Sequence, residues 1–197
     1  MDANDKSATT SRKALTTVAI LPLGQVDEAE LEFVADVLRN FFCFQIKRLP
    51  VARIPNNYRH LKRGRYNADQ LLNFTLSRKP KNVGFIVGVF NRGLFVKNTG
   101  IVHGYAFLTK RAMVYSTNDL FDECLDIKIK QRRSLWLILH EMGHVLGYNH
   151  CLDSSCAMNS TTLIKDLDHF TPQYCSECLN KIYLKITEIF FPTKQGP

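Results

Sequence analysis

The apolar residues of the N-terminal third change between two spacings, one typical of strands and one typical of helices. Val18–Leu23 is a short apolar run that ends just before Gly24, which predicts a first buried strand. Asp27 follows as an N-cap, with Glu30 as its capping-box partner. Helical spacing then continues through five apolar positions, Leu31, Val34, Leu38, Phe41 and Phe42. The second strand is predicted at Phe44–Lys47.

The middle of the chain contains the most continuous apolar run, Gly84–Phe90. Such a run is typical of a central strand that is covered on both faces. A helix that begins at Asn67 and stops before Pro80 precedes it, and two more strands, Ile101–Leu108 and Ala112–Ser116, follow it. This order predicts an α/β sheet that is mostly parallel and has one late antiparallel strand.

Two helices are predicted in the C-terminal half. The first runs from Lys128 to Tyr148 and directs four apolar residues, three and four positions apart, toward the core: Leu135, Leu139, Met142 and Leu146. The second is predicted to be capped by Thr171 and to start at Pro172. It carries four apolar residues on one face, Leu179, Ile182, Ile186 and Ile189.

Composition narrows the class of protein. The 197 residues can bury a full core as one domain, and no apolar run reaches the roughly 18–20 residues that would span a bilayer. The net charge of +8 is local, because the basic patch Lys47–Lys81 contains a single acid, Asp69. A charge run is usually a solvated face, and Phe44, Tyr58 and Tyr66 are few and irregularly spaced for base stacking. Nucleic acid is therefore not the expected partner.

The N-terminus and the cysteines indicate the compartment. Residues 1–13 are polar and of mixed charge, and we expect them to form a disordered tail. Residues 14–24 match a secretory signal poorly, because two threonines interrupt the apolar run and no small-residue cleavage site follows. We therefore expect a cytoplasmic chain, in which six cysteines favour metal ligation over disulfides.

The strongest chemical signal is a group of histidines on the long predicted helix. His140 and His144 are four residues apart, so both imidazoles point the same way and can bind one zinc ion. Glu141 lies about 100° round the helix, where it can act on a zinc-bound water as general base without being a ligand. Gly147 can adopt a positive φ and end the helix, so that His150 supplies a third ligand. Three nitrogens leave a zinc position for water, which is typical of a catalytic site.

Hydrolysis of a peptide bond is the default reaction of such a site. The predicted strand Ile101–Leu108 is the edge to which an extended substrate could add as an antiparallel strand. Four of its residues are candidates for lining the substrate cleft: Val102, His103, Gly104 and Tyr105. For His103 a surface or hydrogen-bonded structural role is an equal alternative. Aminopeptidase and endopeptidase activities both remain open.

Four cysteines follow the histidines in two closely spaced pairs. Cys151 and Cys156 form a C-x4-C pair, and Cys175 and Cys178 form a C-x2-C pair on the first turns of the predicted C-terminal helix. Four thiolates close a tetrahedral zinc site with no position left for water, which predicts a structural zinc. Two disulfides or scattered free thiols are the alternative. The two other cysteines are predicted to be buried free thiols, Cys43 and Cys124.

Met158 lies two residues after Cys156. A methionine there could form a hydrophobic floor under the catalytic metal or belong to the ordinary core. Together, the motif His140–Met158 and the later pair Cys175-x-x-Cys178 resemble the signature of the archaemetzincin family, a branch of the metzincin zinc metalloproteases. The predicted order of strands and helices is also similar to a metzincin N-terminal subdomain.

Two positions depart from the patterns of this and related families. Leu94–Val96 leading to Ile101–Gly104 is similar to the family's segment that enters the edge strand, but His103 is a local departure. Ser160 stands two residues after Met158, so the tyrosine ligand that some other metzincins place there is absent.

The resemblance implies a fold and a division of the chain. The fold would be α/β (α+β) and metzincin-like, with a five-stranded mixed twisted sheet, one antiparallel edge strand, an active-site helix and a C-terminal helix. Residues 14–197 would form one compact domain. Residues 14–148 would be its N-terminal subdomain, and residues 149–197 a small C-terminal subdomain stapled by zinc.

The resemblance also implies a function, a cytoplasmic zinc-dependent metallopeptidase with two zinc ions. The catalytic zinc would be held by His140, His144 and His150, with Glu141 as general base and Met158 as the Met-turn methionine. The structural zinc would be held by the four paired cysteines, Cys151, Cys156, Cys175 and Cys178. The partners would be peptide or protein substrates, without a membrane, and we expect a monomer. The alternative is a non-catalytic or latent metzincin scaffold that binds partners through the basic patch Lys47–Lys81.

Overall fold

The computed structural model describes residues 16–108, 110–118, 120, 126–160 and 164–191, with only the backbone of 164–166. The predicted N-terminal tail and Cys124 lie outside these residues. The helices are α1 (Glu28–Phe42), α2 (Ala68–Leu76), α3 (Ile127–Val145) and α4 (Ser176–Phe190). The strands are β1 (Thr17–Leu23), β2 (Gln45–Arg48), β3 (Arg59–His60), β4 (Arg65–Asn67), β5 (Phe85–Phe90), β6 (Leu94–Val96), β7 (Gly100–Val102), β8 (Gly104–Phe107) and β9 (Ala112–Ser116). Short 3-10 turns lie at Asn56–Tyr58 and Ile164–His169.

The two predicted N-caps start α1 and α2. The Asp27 carboxylate accepts a hydrogen bond from the backbone N–H of Ala29 at 2.9 Å, and the Asn67 side chain accepts one from that of Gln70 at 3.0 Å. Each cap satisfies one of the backbone donors that a helix leaves unpaired at its start. The Glu30 carboxylate accepts a hydrogen bond from the Tyr115 hydroxyl at 2.7 Å, which ties α1 to β9.

The larger sheet has five strands in the order β2-β1-β5-β9-β8. The first four are parallel, and β8 is antiparallel to β9 at the edge, so the predicted mixed sheet with an antiparallel edge strand is confirmed. All six residues of the central strand β5 are buried, as its apolar run predicts. Helices α1 and α3 pack on one face of this sheet, and α2 packs on the other. Among the described residues, no helix is long and apolar enough to cross a bilayer.

The prediction of one strand over Ile101–Leu108 was wrong. The chain forms two strands in two sheets, β7 and β8, separated by His103. β7 belongs to a smaller four-stranded sheet in the order β3-β4-β6-β7, which covers part of the α2 side. Its partner β6 begins at Leu94, opposite Val102, so β7 has no partner residue beyond that point. The chain therefore crosses to the larger sheet, where Gly104 pairs with Tyr115.

The predicted start of the C-terminal helix was also wrong. α4 begins at Ser176 with Cys175 as its N-cap, and the predicted cap and first residue, Thr171 and Pro172, lie outside it. The residues just before Cys175 are needed elsewhere, because the buried Tyr174 donates from its hydroxyl to the Leu139 carbonyl at 2.6 Å. On the predicted apolar face of this helix Ile182 is buried, whereas Leu179 is 46% exposed.

Cys43 is exposed, in contrast to the prediction of a buried thiol. It forms the C-cap of α1 with a φ of 58°. This left-handed turn directs the flanking Phe42 and Phe44 into the core and leaves the short Cys43 side chain outside.

Candidate metal centres and active site

The end of α3 brings three histidines together. His140 and His144 lie one turn apart on the helix, and Gly147 then turns the chain with a φ of 99° so that His150 faces them. The Nε2 atom of His144 lies 3.1 Å from that of His140 and 3.2 Å from that of His150. A helix and a glycine turn thus bring the three predicted histidines together.

These distances fit a bound zinc ion. Ligand atoms about 2.0–2.1 Å from a tetrahedral zinc lie about 3.3 Å from one another. The remaining ring nitrogens of two histidines are held by carbonyls: Nδ1 of His140 donates to the oxygen of Ala157 at 2.7 Å, and Nδ1 of His144 to that of Tyr148 at 2.8 Å. Because a carbonyl only accepts, each Nδ1 carries the proton and each Nε2 lone pair faces the cluster.

The electrostatics of the helix end also suit a metal. Burial, with a further contribution from His144, lowers the pKa of His140 to about 4. Burial likewise lowers the pKa of His144. Both imidazoles are therefore neutral near pH 7, which is the state in which a histidine binds a metal ion.

Glu141 lies beside the histidines and against the edge strand β8. Its side chain is buried, and burial raises its pKa to about 8. A Cβ atom placed on Gly104 would lie 2.5 Å from Oε1 of Glu141, so only a glycine leaves room for this carboxyl group. The predicted cleft residue Gly104 and the predicted base Glu141 are thus neighbours.

Met158 lies under the histidine helix and is fully buried. A Cβ atom placed on Gly143 would overlap the sulfur of Met158, so the methionine packs directly against the bare backbone between His140 and His144. Its carbonyl accepts a hydrogen bond from the backbone N–H of Cys151 at 2.8 Å, which fixes the chain just after His150. The arrangement supports the hydrophobic floor that the sequence suggested.

The four paired cysteines form a second cluster. The sulfurs of Cys151, Cys156, Cys175 and Cys178 all lie within 4.8 Å of one another, and all four are free thiols. The sulfurs of Cys151 and Cys175 are 3.9 Å apart, whereas thiolates about 2.3 Å from a tetrahedral zinc lie about 3.8 Å apart. Burial raises the pKa of the Cys178 thiol, so all four groups would be thiolates at neutral pH only around a bound cation.

One peptide segment connects the two clusters. Ala157 stands between Cys156 and Met158; its carbonyl orients His140, and its N–H donates to the Gln173 carbonyl at 2.7 Å. The Cys156 sulfur accepts N–H hydrogen bonds from Met158 and, at 3.3 Å, from Cys175. Sequence reasoning missed Ala157 and Tyr148, because a backbone carbonyl acceptor leaves no signal in the side-chain pattern.

The other predicted cleft residues are spread over the turn between the two sheets. The backbone of His103 is tied to β9, since its carbonyl accepts from the N–H of Ser116 at 2.8 Å. Val102 and Tyr105 pack against the cluster on the α2 side of the larger sheet, away from α3. The backbone of Gly104 lies directly against the Glu141 carboxyl group.

This combination of a fold with two clusters of candidate metal-binding side chains is the one expected of a zinc metallopeptidase. The chain belongs to peptidase family M54, whose family model matches residues 48–184. It is 27% identical over 183 residues to the archaemetzincin of Pyrococcus abyssi, with 88% of this chain and 97% of that protein covered. It is 28% identical over 169 residues to the archaemetzincin of Methanocaldococcus jannaschii, with 84% and 92% covered. The predicted archaemetzincin family and enzyme class are confirmed.

Solved structures have the same fold. The crystal structure of the Archaeoglobus fulgidus archaemetzincin, solved with malonate, superposes with a TM-score of 0.73 at 27% identity and covers 84% of this chain and 99% of that one. The archaemetzincin of Methanopyrus kandleri superposes with a TM-score of 0.76 at 22% identity, with 87% and 95% covered. The predicted fold class is therefore also confirmed.

Proposed function

We propose that the chain hydrolyses peptide bonds at a zinc ion held by His140, His144 and His150, with Glu141 as the general base. The observation that carries this proposal is the convergence of the three Nε2 atoms beside the buried Glu141 carboxyl. His150 is exposed, so one side of the cluster is open to a substrate. Membership of family M54 supports peptides as the substrate class.

The chemistry divides between the ion and the protein. Zinc, when bound, supplies Lewis-acid chemistry: it acidifies a water molecule and polarises a carbonyl. A zinc ion bound beside Glu141 would favour the carboxylate form against the effect of burial. This carboxylate accepts the proton of the attacking water and later donates it to the leaving amine. Ala157 and Tyr148 keep the histidines oriented through their carbonyl oxygens. The outer edge of β8 gives an extended substrate a backbone to pair with next to Glu141.

A peptide-library digestion scored by mass spectrometry tests this mechanism. We expect the zinc-loaded wild-type chain to cleave peptides and the Glu141→Ala variant to be slower by about 10²–10⁴-fold, because the proton acceptor is lost. Zinc content should stay unchanged, since Glu141 is not a ligand in the proposal. The fragment pattern also decides between aminopeptidase and endopeptidase activity.

Glu188→Ala is the matched control, because Glu188 is a glutamate on α4 with 66% of its side chain exposed. It should cleave like the wild type. Equal cleavage by the Glu141→Ala variant would show that another group transfers the proton.

We further propose that Cys151, Cys156, Cys175 and Cys178 hold a second, structural zinc. Four sulfur ligands would leave no position for water, so this ion would take no part in the reaction. It would tie the turn after His150 to the start of α4, where the smaller C-terminal part of the chain packs. Reduced thiols of this kind support a cytoplasmic location.

A further inference from the structure

The charge of the chain is distributed very unevenly. Residues 37–118 contain fifteen Lys and Arg and one acid, Asp69, whereas the whole chain has a net charge of +8. The remaining residues therefore carry a net negative charge. The basic patch Lys47–Lys81 is thus part of a longer basic region that includes both outer strands, β7 and β8.

Part of this charge is already engaged in contacts within the chain. Arg48 forms ion pairs with Glu28 at 3.1 Å and Glu32 at 3.0 Å. Arg78 lies over the Phe74 ring at 3.4 Å at the end of α2 opposite Asp69. Arg48 is thus neutralised by carboxylates, and Arg78 lies just beyond α2, outside β3 and β4.

The basic hairpin, formed by β3, the turn 61–64 and β4, is different. Arg59, Lys62 and Arg63 are all exposed there. Within the described part of the chain, none of the three has a carboxylate partner. Cations held close together without counter-charges attract acidic groups, and the attraction weakens with added salt.

The strand register places the turn of the basic hairpin at the end of the smaller sheet from which the chain continues to the active site. Arg59, Tyr66, Leu94 and Val102 form one row across the smaller sheet, and His60 and Arg65 form the next. The turn 61–64 lies beyond that second row, in the direction in which β7 continues to Gly104. Gly104 is the residue that contacts Glu141.

The outer face of the smaller sheet also offers apolar contacts. Phe95 is buried there, with the His60 ring at 5.5 Å and the Arg63 guanidinium at 5.1 Å from its centre. Ile101 pairs with Phe95 and is 58% exposed. The Arg63 guanidinium and the exposed Ile101 side chain thus lie on the same face, which suits a polypeptide that mixes acidic and apolar residues.

The aromatic residues of this region do not suit nucleic acid. Tyr58 packs edge-on against Phe74 at 5.8 Å, and Tyr66 packs edge-on against Phe90 at 4.9 Å. Both rings are engaged with the core, whereas single-stranded nucleic acid needs exposed rings on which its bases stack.

We propose that the basic hairpin binds an acidic stretch of the polypeptide substrate next to the bond that is cleaved. This inference rests on the proposed peptidase function, and it names the substrate class: polypeptides with Asp or Glu beside apolar residues. Arg59, Lys62 and Arg63 supply the charge, and Ile101 supplies an apolar contact.

Binding measurements test the proposal without turnover. Fluorescent peptides with one common apolar centre and flanks of Glu, Gln or Lys are titrated against the zinc-loaded Glu141→Ala chain by anisotropy. The Glu peptide should bind about tenfold more tightly than the Gln peptide at about 50 mM salt, the size expected of two or three exposed ion pairs. The difference should shrink at about 300 mM salt.

Two double variants with the same change in net charge test whether the basic hairpin causes the preference for the Glu peptide. Lys62→Glu/Arg63→Glu should abolish the preference for Glu over Gln. Lys81→Glu/Lys97→Glu should keep it, because both lysines are exposed outside the basic hairpin and Lys97 follows β6 at the end of the smaller sheet opposite to the turn 61–64. Thermal melts check that both variants fold. The comparison of Glu and Gln peptides on the chain with an unchanged hairpin tests the proposal even if a variant does not fold.

Three results would overturn the proposal: equal binding of the Glu and Gln peptides, no binding of any peptide, or equal loss of preference in both double variants. Tighter binding of a single-stranded RNA than of the Glu peptide, lost in Lys62→Glu/Arg63→Glu, would also overturn it and would assign the surface to nucleic acid. Failure of the peptidase proposal is separate: it would show as a wild-type chain that prefers Glu peptides but cleaves none.

Discussion

The histidine cluster and the cysteine cluster are neighbours in the chain but are built in opposite ways. His140 and His144 belong to one helix that packs against the sheet, and only His150 comes from a turn. The cysteines come from a loop and from the start of another helix, so two segments that are distant in the chain must meet to form the cluster. The first cluster offers three candidate ligands and has an exposed side, whereas the second offers four, which would enclose a metal ion.

In our proposal the two clusters therefore have different roles, one catalytic and one structural. A rigid helix positions the open site, where geometry controls the chemistry, whereas a closed site can hold together segments that do not pack well alone. Ala157 transmits the order of the second cluster to the first, because its carbonyl positions His140 while its neighbour Cys156 is a cysteine ligand in our proposal. We therefore expect that substitution of the cysteines also weakens zinc binding by the histidines.

The largest effect should come from breaking the closed cluster. Cys175→Ser/Cys178→Ser should lose the second zinc and weaken binding of the first by about 10–100-fold, the usual effect of losing outer-sphere support. Zinc titration against a chelator measures both. Cys43→Ser is the control, since Cys43 is exposed and far from the cluster in sequence. A double variant that still holds one zinc with unchanged affinity would contradict the coupling.

A smaller effect should come from crowding the open cluster alone. Gly104→Ala would place a Cβ atom 2.5 Å from Oε1 of Glu141 and displace the carboxyl group. We expect kcat to fall by about 10–100-fold, because small misplacements of a catalytic group are costly. Zinc content should not change. Gly24→Ala is the control for backbone strain without crowding, because Gly24 has a φ of 73° and nothing lies within 4 Å of the added atom.

If Gly104→Ala lowered zinc content as much as activity, the contact with Glu141 would be structural rather than catalytic. Unchanged kcat would place the reacting carboxyl elsewhere.

The smallest effect should come from a link between α3 and the segment that joins the two cysteine pairs. Arg133 of α3 bonds the carboxylate of Asp168 at 2.6 and 2.8 Å, and its side chain is only 9% exposed. Asp168→Asn should lower the free energy of unfolding by about 1–3 kcal/mol, because it removes the negative charge that Asp168 places against a largely buried guanidinium. Denaturant unfolding measures the change.

The difference in unfolding free energy between the wild type and Asp168→Asn should depend on pH. Hydrogen bonding to Arg133 lowers the pKa of Asp168. A carboxyl whose pKa is lower in the folded state stabilises above its unfolded pKa, and this contribution is lost as the pH falls through the folded value. The gap between wild type and Asp168→Asn should be constant near pH 7 and shrink below about pH 4. Glu188→Gln, which removes an exposed pair with Lys185, should show almost no gap.

Much of the fold and of the site could be read from the sequence because it is encoded locally. The all-apolar run of β5, the caps Asp27 and Asn67 and the helical spacing before Gly147 each act over a few neighbouring residues. The His140–His144 spacing on a helix places the two rings together in any fold that keeps the helix.

The rest depends on contacts that are distant in the chain. The smaller sheet has strands of two or three residues, too short to show a period of two. The break at His103 is set by where β6 ends, and the start of α4 by the burial of Tyr174 under α3. Cys43 is outside the core because its two neighbouring phenylalanines are inside.

One measurement tests the division into an open and a closed site most directly: zinc stoichiometry with X-ray absorption at the zinc edge, on the wild-type chain. We predict two zinc ions per chain, with sulfur ligands at about 2.3 Å and nitrogen or oxygen ligands at about 2.0–2.1 Å in equal numbers on average. A single zinc with only one of these ligand types would contradict it.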